Sequence, residues 1–534
     1  MLLRTNKLVI NSVSDSRAKV STLIGKVVGY PAIHTLMLAT APVVILYSAN
    51  VGEVHPSEIG ILIAIAVGFA ILLLILSCAI LRNLRKAAVI LTIFLILFLL
   101  YRPVLMGLER WAAWEAAWIL LLIVWVIFLV CGMYFAVKTR RSLNNLTSIL
   151  NVMAIALVLV PSINIIISET KVVQKNEYIR SLRPMGLELS ASRGTETLPD
   201  IYYIILDRYA SASTLEEAFD FDNSEFINYL SAEGFYIASE SWSNYINTAS
   251  SLASSLNMEY LNYIAEGLGG NFSDVDPIYQ KLQNNSVQHL LKAEGYECIN
   301  IGNWWGPTMV NTFADKNFGY AGTPYFAEIL FQNTMANSVL AKFGVVDDER
   351  SLHSNCILYA FDKLAEIPAM KESTFVFAHL LVTHPPYVFD RNGEYLTVQE
   401  ASQRSEKVNY IDQLLFTNKR VMALIDEILS NSEVPPIIIL QADEGPFPEG
   451  TDVRSFSWRS ATEAQLRQKT GILNAYYMPG VDKRALYPSI TPVNSFRVVF
   501  NLYFDANLEL LPDRIYASSG NHPYDFFDVT DEVK

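Results

Sequence analysis

Cysteine is scarce in this 534-residue chain, with four in all. That is too few for a disulfide framework. Cys78 and Cys131 fall inside long apolar stretches. Cys298 and Cys356 lie further on and could pair, but neither stands in a CxxC or zinc-ribbon spacing. Charge is thin as well: 17% of residues are charged against 51% hydrophobic, which excludes an ordinary soluble enzyme. Lysine and arginine number 40 against 53 aspartates and glutamates, for a net charge of −13. With the basic residues of the first third set aside, the rest of the chain is clearly acidic and lacks the basic groove that nucleic acid requires. Internal repeats and low-complexity tracts are absent. So is the pattern of a cleaved signal peptide, because the first apolar stretch begins well inside, behind a polar basic leader.

Apolar sequence is abundant, and it crowds the first third. Five stretches approach or exceed the roughly 20 residues that cross a bilayer: Pro31–Ala49, Ile59–Leu81, Ala87–Leu108, Ala113–Val137 and Leu146–Ile167. Arg4, Lys7, Arg17, Lys19 and Lys26 precede the first. Arg82, Arg85 and Lys86 separate the second from the third, and Lys138, Arg140 and Arg141 the fourth from the fifth. The alternate loops carry little positive charge. The positive-inside rule then places the N-terminus in the cytoplasm and everything after Ile167 outside. The expected layout is a transmembrane domain over 1–168, a juxtamembrane linker over 169–197 and an extracytoplasmic domain over 198–534.

From Leu198 the pattern changes. Short β-rich runs (DIYYIIL, GFYIAS, YECINIG, STFVFAHLLV, PPIIILQ, ILNAYYM) alternate with helical stretches. In one of these, Ile411, Leu414, Leu415, Val421, Leu424, Ile425 and Ile428 recur at helical spacing. Alternation of continuously apolar strands with helices indicates an α/β domain with a buried, mostly parallel sheet. In such sheets ligands gather beyond the carboxyl ends of the strands.

Four strand-end or helix-start segments carry chemistry. DIYYIIL runs into Asp207-Arg208, a carboxylate suited to a metal or to an ordinary strand-end cap. NTASSLASSLNM brings Thr248, Ser251 and Ser254 at spacings of three, with Thr248 near a helix N-terminus. There unpaired amides favour a developing alkoxide or a bound anion, although a capping cluster would read the same way. FAHLLVTHPP sets His379 and His384 five apart across a strand end, as proton donors, phosphate binders or, for His379, a core histidine. IIILQADEGP ends a buried strand on Asp443 and Glu444.

Taken together, these segments resemble the alkaline phosphatase/sulfatase superfamily, and in particular its membrane-anchored branch of lipoteichoic acid synthases and lipid A phosphoethanolamine transferases. The resemblance covers nearly the whole chain and implies a five-helix transmembrane bundle followed by a sulfatase-like α/β domain. It aligns Asp207 with the family's first metal ligand and Thr248 with its nucleophile, Ser250 and Ser251 being the fallbacks. FAH-LLVT-HPP reproduces the His-x4-His spacing of the phosphoethanolamine transferases. Asp443-Glu444-Gly445 falls on the family's Asp-His-Gly. Arg208 replaces a second aspartate, which favours one metal over two, and Glu444 stands where the family has histidine.

The resemblance therefore implies a ligand set of Asp207, Thr248, Asp443 and Glu444 around one divalent ion. Being all oxygen, that set suits Mn²⁺ or Mg²⁺ ahead of Zn²⁺. It also implies an inner-membrane protein that moves a phosphodiester head group from a lipid such as phosphatidylglycerol or phosphatidylethanolamine to an envelope glycan or lipid. Thr248 is the expected nucleophile and His384 the phosphoryl binder or general acid, supported by His379, while Trp304 and Trp305 are candidates for lining the substrate pocket. Two alternatives stand beside this reading. One is a sulfuric or phosphoric ester hydrolase of the same superfamily, although TASSL lacks the Pro and Arg of a formylglycine motif. The other is a catalytically silent binding or sensing module on the same fold.

Overall fold

A computed structural model describes residues 29–49, 56–112, 117–181, 198–270, 272, 274–320, 325–343, 345–346, 349–451 and 456–534. The chain forms two compact units: Met1–Asn176 with Thr323–Asp348, and Glu177–Gly322 with Glu349–Lys534.

The first unit is helical. Four helices are long and apolar enough to cross a membrane, with spanning segments at Ile59–Leu81, Leu84–Leu108, Ala117–Lys138 and Asn144–Ser168, and the apolar helix Ile33–Ala49 is shorter. In chain order they lie within α1 (Ile33–Ala49), α2 (Pro56–Leu81), α3 (Leu84–Ala112), α4 (Ala117–Lys138) and α5 (Asn144–Ser181). These match the five expected stretches, with most side chains of the long helices turned outward. Polar staples tie the helices where apolar packing alone gives little specificity. The backbone NH of His34 donates to Asn151 Oδ1 at 2.7 Å, and His34 Nδ1 lies 2.7 Å from Thr92 Oγ1. The linker expected over 169–197 begins as the last turns of α5, and 182–197 lie outside the described residues.

One segment falls outside the expected layout. Thr323–Asp348, read from sequence as part of the second domain, groups with the helical unit. Its apolar residues explain why: Phe326 and Leu330 pack with Val43, Tyr47 and Ile59, and Met335 packs with Tyr101 and Leu105.

The second unit holds a seven-stranded sheet of β1 (Ile201–Leu206), β2 (Tyr236–Ile237), β3 (Glu297–Ile301), β4 (Lys316–Phe318), β5 (Thr374–Leu380), β6 (Ile437–Gln441) and β7 (Asn474–Tyr477). Their order is β2-β7-β6-β1-β5-β3-β4. β1 runs parallel to both neighbours, β5 and β6, and only β7 breaks the direction against β6 and β2. Alternation along β1 feeds two cores, one on each face. Tyr202, Ile204 and Leu206 join one, and Ile201, Tyr203 and Ile205 the other. The long helix Glu406–Asn431 lies on the first face, burying Leu414, Val421, Leu424, Ile425 and Ile428 at helical spacing. Cys298 and Cys356, left open as a pair, are both buried and do not form a disulfide.

The sheet interior also carries polar wiring. Tyr203 places its hydroxyl 2.6 Å from Ser255 Oγ and donates to Gln441 Oε1 at 2.8 Å, all three residues being buried. Tyr203→Phe leaves both partners without that group, and the α/β unit is expected to lose about 1–3 kcal/mol. The measurement is the unfolding midpoint of that unit in the detergent-solubilised protein; an unchanged midpoint would show that the pair is not needed.

Candidate metal centre and active site

Three adjacent parallel strands, β6, β1 and β5, deliver their carboxyl ends side by side. Asp207 follows β1 directly, Asp443 lies two residues beyond β6, and His379 is the penultimate residue of β5. Side-chain donor atoms of these three residues all lie within 4.8 Å of one another, and all three are buried. His379 Nε2 is 3.1 Å from Asp207 Oδ2. Among the described residues, Asp207 Oδ1 and Asp443 Oδ2 have no hydrogen-bond partner. Two buried carboxylates, each with an unsatisfied oxygen and both facing an imidazole, form a donor set that fits a cation.

The nucleophile segment arrives from one side. Thr248 opens the helix Thr248–Asn257, and Asn247 caps it by accepting from Ser250 NH at 2.9 Å. The Thr248 hydroxyl neighbours the Asp443 carboxylate and is only partly buried. Ser251 is committed elsewhere, donating to the Asp443 backbone carbonyl at 2.6 Å, and Ser250 is fully buried.

Asp207, His379, Asp443 and Thr248 thus come together, and Glu444 does not join them. Its Oε1 lies 3.0 Å from Arg208 Nε and 2.6 Å from Lys469 Nζ. The side chain expected as a fourth ligand is therefore the counter-ion of two cations. The oxygen-only premise changes with it, because His379, expected only as support, brings a nitrogen into the group. His384 is partly exposed, with its Nδ1 donating to the Pro385 carbonyl.

The electrostatics follow from this crowding. Burial pushes Asp443 up to about 7, with Asp207 and Glu444 adding to the rise and His379 and the Thr248 hydroxyl opposing it. Burial works in the same sense on Asp207, but His384, His379 and Arg208 outweigh it and hold that carboxyl below its usual range. Lys469, completely buried, is lowered by desolvation to about 8 despite Glu444.

Sequence reasoning missed the residues that hold these groups in place. Thr308 Oγ1 lies 2.9 Å from His379 Nδ1, and Asn303 Nδ2 donates to the His379 carbonyl at 2.6 Å, fixing the ring so that Nε2 faces Asp207. Both come from the GNWWGPT stretch, whose tryptophans drew the attention. Trp305 sets its ring edge-on to His379 at 5.6 Å, whereas Trp304 stacks on His353 at 4.2 Å. Lys469 gave no signal, being a lone lysine in EAQLRQKT on the helix Glu463–Thr470. Gly445, in contrast, was visible beside the acidic pair. A Cβ there would sit 2.2 Å from the Gln468 carbonyl oxygen, so only glycine lets this strand end approach the helix that carries Lys469. Arg208 adopts a left-handed backbone (φ +60°), which costs about 1–2 kcal/mol for a side chain of its type. The bond from its NH to Asp443 Oδ1 at 3.2 Å helps hold it there.

No family model matches the sequence, and no curated protein matches it. Solved structures do resemble it, at low identity. The C-terminal periplasmic domain of EcEptC from Escherichia coli, in complex with Zn, aligns at 11% identity and a TM-score of 0.43, covering 65% of this chain and 96% of that one. The integral membrane lipooligosaccharide phosphoethanolamine transferase A from Neisseria meningitidis aligns at 14% and 0.37, covering 88% and 94%. The lipoteichoic acid synthase LtaP from Listeria monocytogenes aligns at 11% and 0.37, covering 64% and 80%.

The two readings of Glu444 separate experimentally. As a counter-ion, Glu444→Gln strands Lys469 and should destabilise the fold by about 3–5 kcal/mol, with partial recovery in the Glu444→Gln, Lys469→Met double variant. Thermal unfolding reads this out. Unchanged stability with an altered metal preference would return Glu444 to the ligand set.

Proposed function

We propose that this chain is a metal-dependent phosphoryl-group transferase of the cell envelope, with Thr248 as nucleophile and a phospholipid such as phosphatidylglycerol or phosphatidylethanolamine as donor. One observation carries the reading: the buried Asp207, His379 and Asp443 group keeps two carboxylate oxygens without a hydrogen-bond partner among the described residues, next to a part-exposed hydroxyl at a helix N-terminus. The order of these residues along the chain, and the helical unit before them, match the superfamily resemblance on which the donor class rests.

Asp207, His379 and Asp443, with the Thr248 oxygen, are the groups that would hold one divalent ion. Such an ion would neutralise the carboxylates, make the hydroxyl more acidic and polarise a phosphoryl oxygen. A mixed oxygen and imidazole set suits zinc or manganese better than magnesium.

The remaining roles belong to the chain. Thr248 Oγ1 attacks phosphorus, and its proton passes to the neighbouring Asp443 carboxylate. The N-terminal amides of Thr248–Asn257 favour the anionic phosphoryl group. As the bond to the leaving alcohol breaks, that oxygen takes a proton from His384, whose Nε2 is the ring atom turned away from Pro385. Thr308 and Asn303 keep His379 from rotating out of the site. A second alcohol, or water, then gives its proton to His384 and attacks the phosphothreonine; the bond from phosphorus to Thr248 Oγ1 breaks, and Asp443 returns the proton to that oxygen. The domain reading goes with this proposal: a membrane domain over 1–168, N-terminus cytoplasmic, and a catalytic domain from 198 on the far side of the inner membrane.

Incubating the full-length protein in vesicles with labelled phosphatidylglycerol and phosphatidylethanolamine should release diacylglycerol from one of them. Thr248→Ala should abolish that release while leaving the unfolding midpoint within about 1 kcal/mol, as expected for a part-exposed side chain. Full activity in Thr248→Ala would remove Thr248 as nucleophile.

The metal has a readout independent of turnover. Chelation should lower the unfolding midpoint of the wild type, because an ion bound only to the folded state stabilises it. In Asp207→Asn or His379→Ala the chelator should have little further effect. A wild-type midpoint indifferent to chelator would leave the site a charged cluster without a cofactor and would favour a silent binding module.

A further inference from the structure

The sequence reading does not account for Thr323–Asp348, an excursion out of the α/β unit that packs with the helical one. It contains two short helices, Tyr325–Gln332 and Met335–Lys342. The residues they touch fall at one end of the bundle. Phe326 meets Tyr47 edge-on at 6.5 Å and shares a cluster with Val43 and Ile59, near the end of α1 and the start of α2. Met335 packs with Tyr101, Leu105 and Ala117, in the C-terminal half of α3 and the first turn of α4. Phe343 meets Trp118 at 6.2 Å. The basic loops (Arg82, Arg85 and Lys86; Lys138, Arg140 and Arg141) occupy the opposite ends of these helices.

Depth follows from helix geometry. At about 1.5 Å per residue, Tyr101 lies roughly 10 Å inside the end of the apolar span at Leu108, the depth at which interfacial helices bury their apolar faces. The segment's outward side is apolar too. Phe331 is 40% exposed, Phe343 70% and Val345 65%, values like those of Ile61 (63%) and Phe69 (53%) on the spans. Between Tyr325 and Val346 the charged residues are Glu328 and Lys342, one of each sign, and Asp347 and Asp348 follow at the segment's end. Large exposed apolar side chains continuous with a lipid-facing surface, without an excess of basic residues, fit a lipid boundary rather than water.

We propose that Thr323–Asp348 is a membrane-interface element, in which Phe331, Phe343 and Val345 insert into the leaflet at the less basic end of the bundle. Insertion is driven by apolar burial and not by attraction to anionic lipid. The second unit is then joined to the bilayer by three stretches of chain: the exit of α5 and the two ends of this excursion.

The test uses the full-length protein in vesicles of zwitterionic phospholipid containing a photoactivatable phospholipid, with the reactive group either near the head group or at the acyl end. The head-group-proximal reagent should label peptides covering 325–342 and 343–350 several-fold more than the peptide carrying Val398, an apolar residue of the second unit that is 69% exposed. The acyl-end reagent should favour the spans. Phe331→Asp combined with Phe343→Asp should cut labelling of the segment several-fold while span labelling stays constant, which verifies that the bundle is still inserted. Labelling no greater than at Val398, or labelling that appears only with anionic lipid, would overturn the proposal. So would an interchain disulfide formed by Phe343→Cys in vesicles and absent from the wild type, since that would assign the surface to a second copy of the chain.

Discussion

The repulsion between Asp207 and Asp443 is the constraint around which the second unit is organised. Their oxygens lie within 4.8 Å of each other and of His379, away from water. Two unit charges at that separation oppose each other by about 3 kcal/mol even at an effective dielectric near 20. Hydrogen bonding relieves this only in part: His379 faces Asp207 Oδ2 and the Arg208 NH donates to Asp443 Oδ1, while the other oxygen of each carboxylate has no hydrogen-bond partner among the described residues. It holds the strain in place with the stiffest part of the fold, three central parallel strands covered on both faces by packed apolar side chains. A site that must keep like charges together needs such a scaffold, because on loops the carboxylates would drift apart.

Beside it stands a second charge group with the opposite character. Glu444 is paired with Arg208 and Lys469, and Lys469 also donates to the Gly445 carbonyl at 3.1 Å and lies over the Phe447 ring at 3.7 Å. Here the carboxylate is compensated by two cations. Neighbouring residues at the end of β6 therefore do different work: Asp443 is left under-satisfied for chemistry, and Glu444 is neutralised for structure. Gly445 makes this possible by bringing the Lys469 helix within hydrogen-bond reach, its NH donating to the Lys469 carbonyl at 2.7 Å.

Much of this was legible from local pattern. Hydropathy located the helices of the first unit, and apolar runs ending in Asp207 and Asp443 located the strand ends, because both signals depend only on neighbours in sequence. Glu444 was read as a ligand because adjacency to Asp443 was the visible fact. Its actual partner, Lys469, lies 25 residues away on a helix and shows no pattern of its own. His379 was underrated for the converse reason: inside an apolar run it looks like a core histidine. Only the register of β5 against β1, pairing His379 with Ile205, turns it toward Asp207. Thr323–Asp348 was misplaced because two eight-residue apolar helices look the same in a globular core and on a bundle of spans.

The hydroxyl-rich segment shows how burial reduces several candidates to one. Sequence offers Thr248, Ser250, Ser251, Ser254 and Ser255 within eight residues, any of which can serve as a nucleophile. Ser254 donates to the Glu259 carbonyl at 2.6 Å, Ser255 is bound to Tyr203, and Ser251 ties the helix to the Asp443 backbone. Small hydroxylated residues suit a helix that must lie close to a sheet and still satisfy polar groups there. Ser250 has no solvent exposure, so no substrate atom can reach it. Among these five, Thr248 combines partial exposure, a place at the helix start and proximity to one of the two crowded carboxylates. The serines hold the helix against the sheet, and that packing keeps the threonine at the mouth of the charged site.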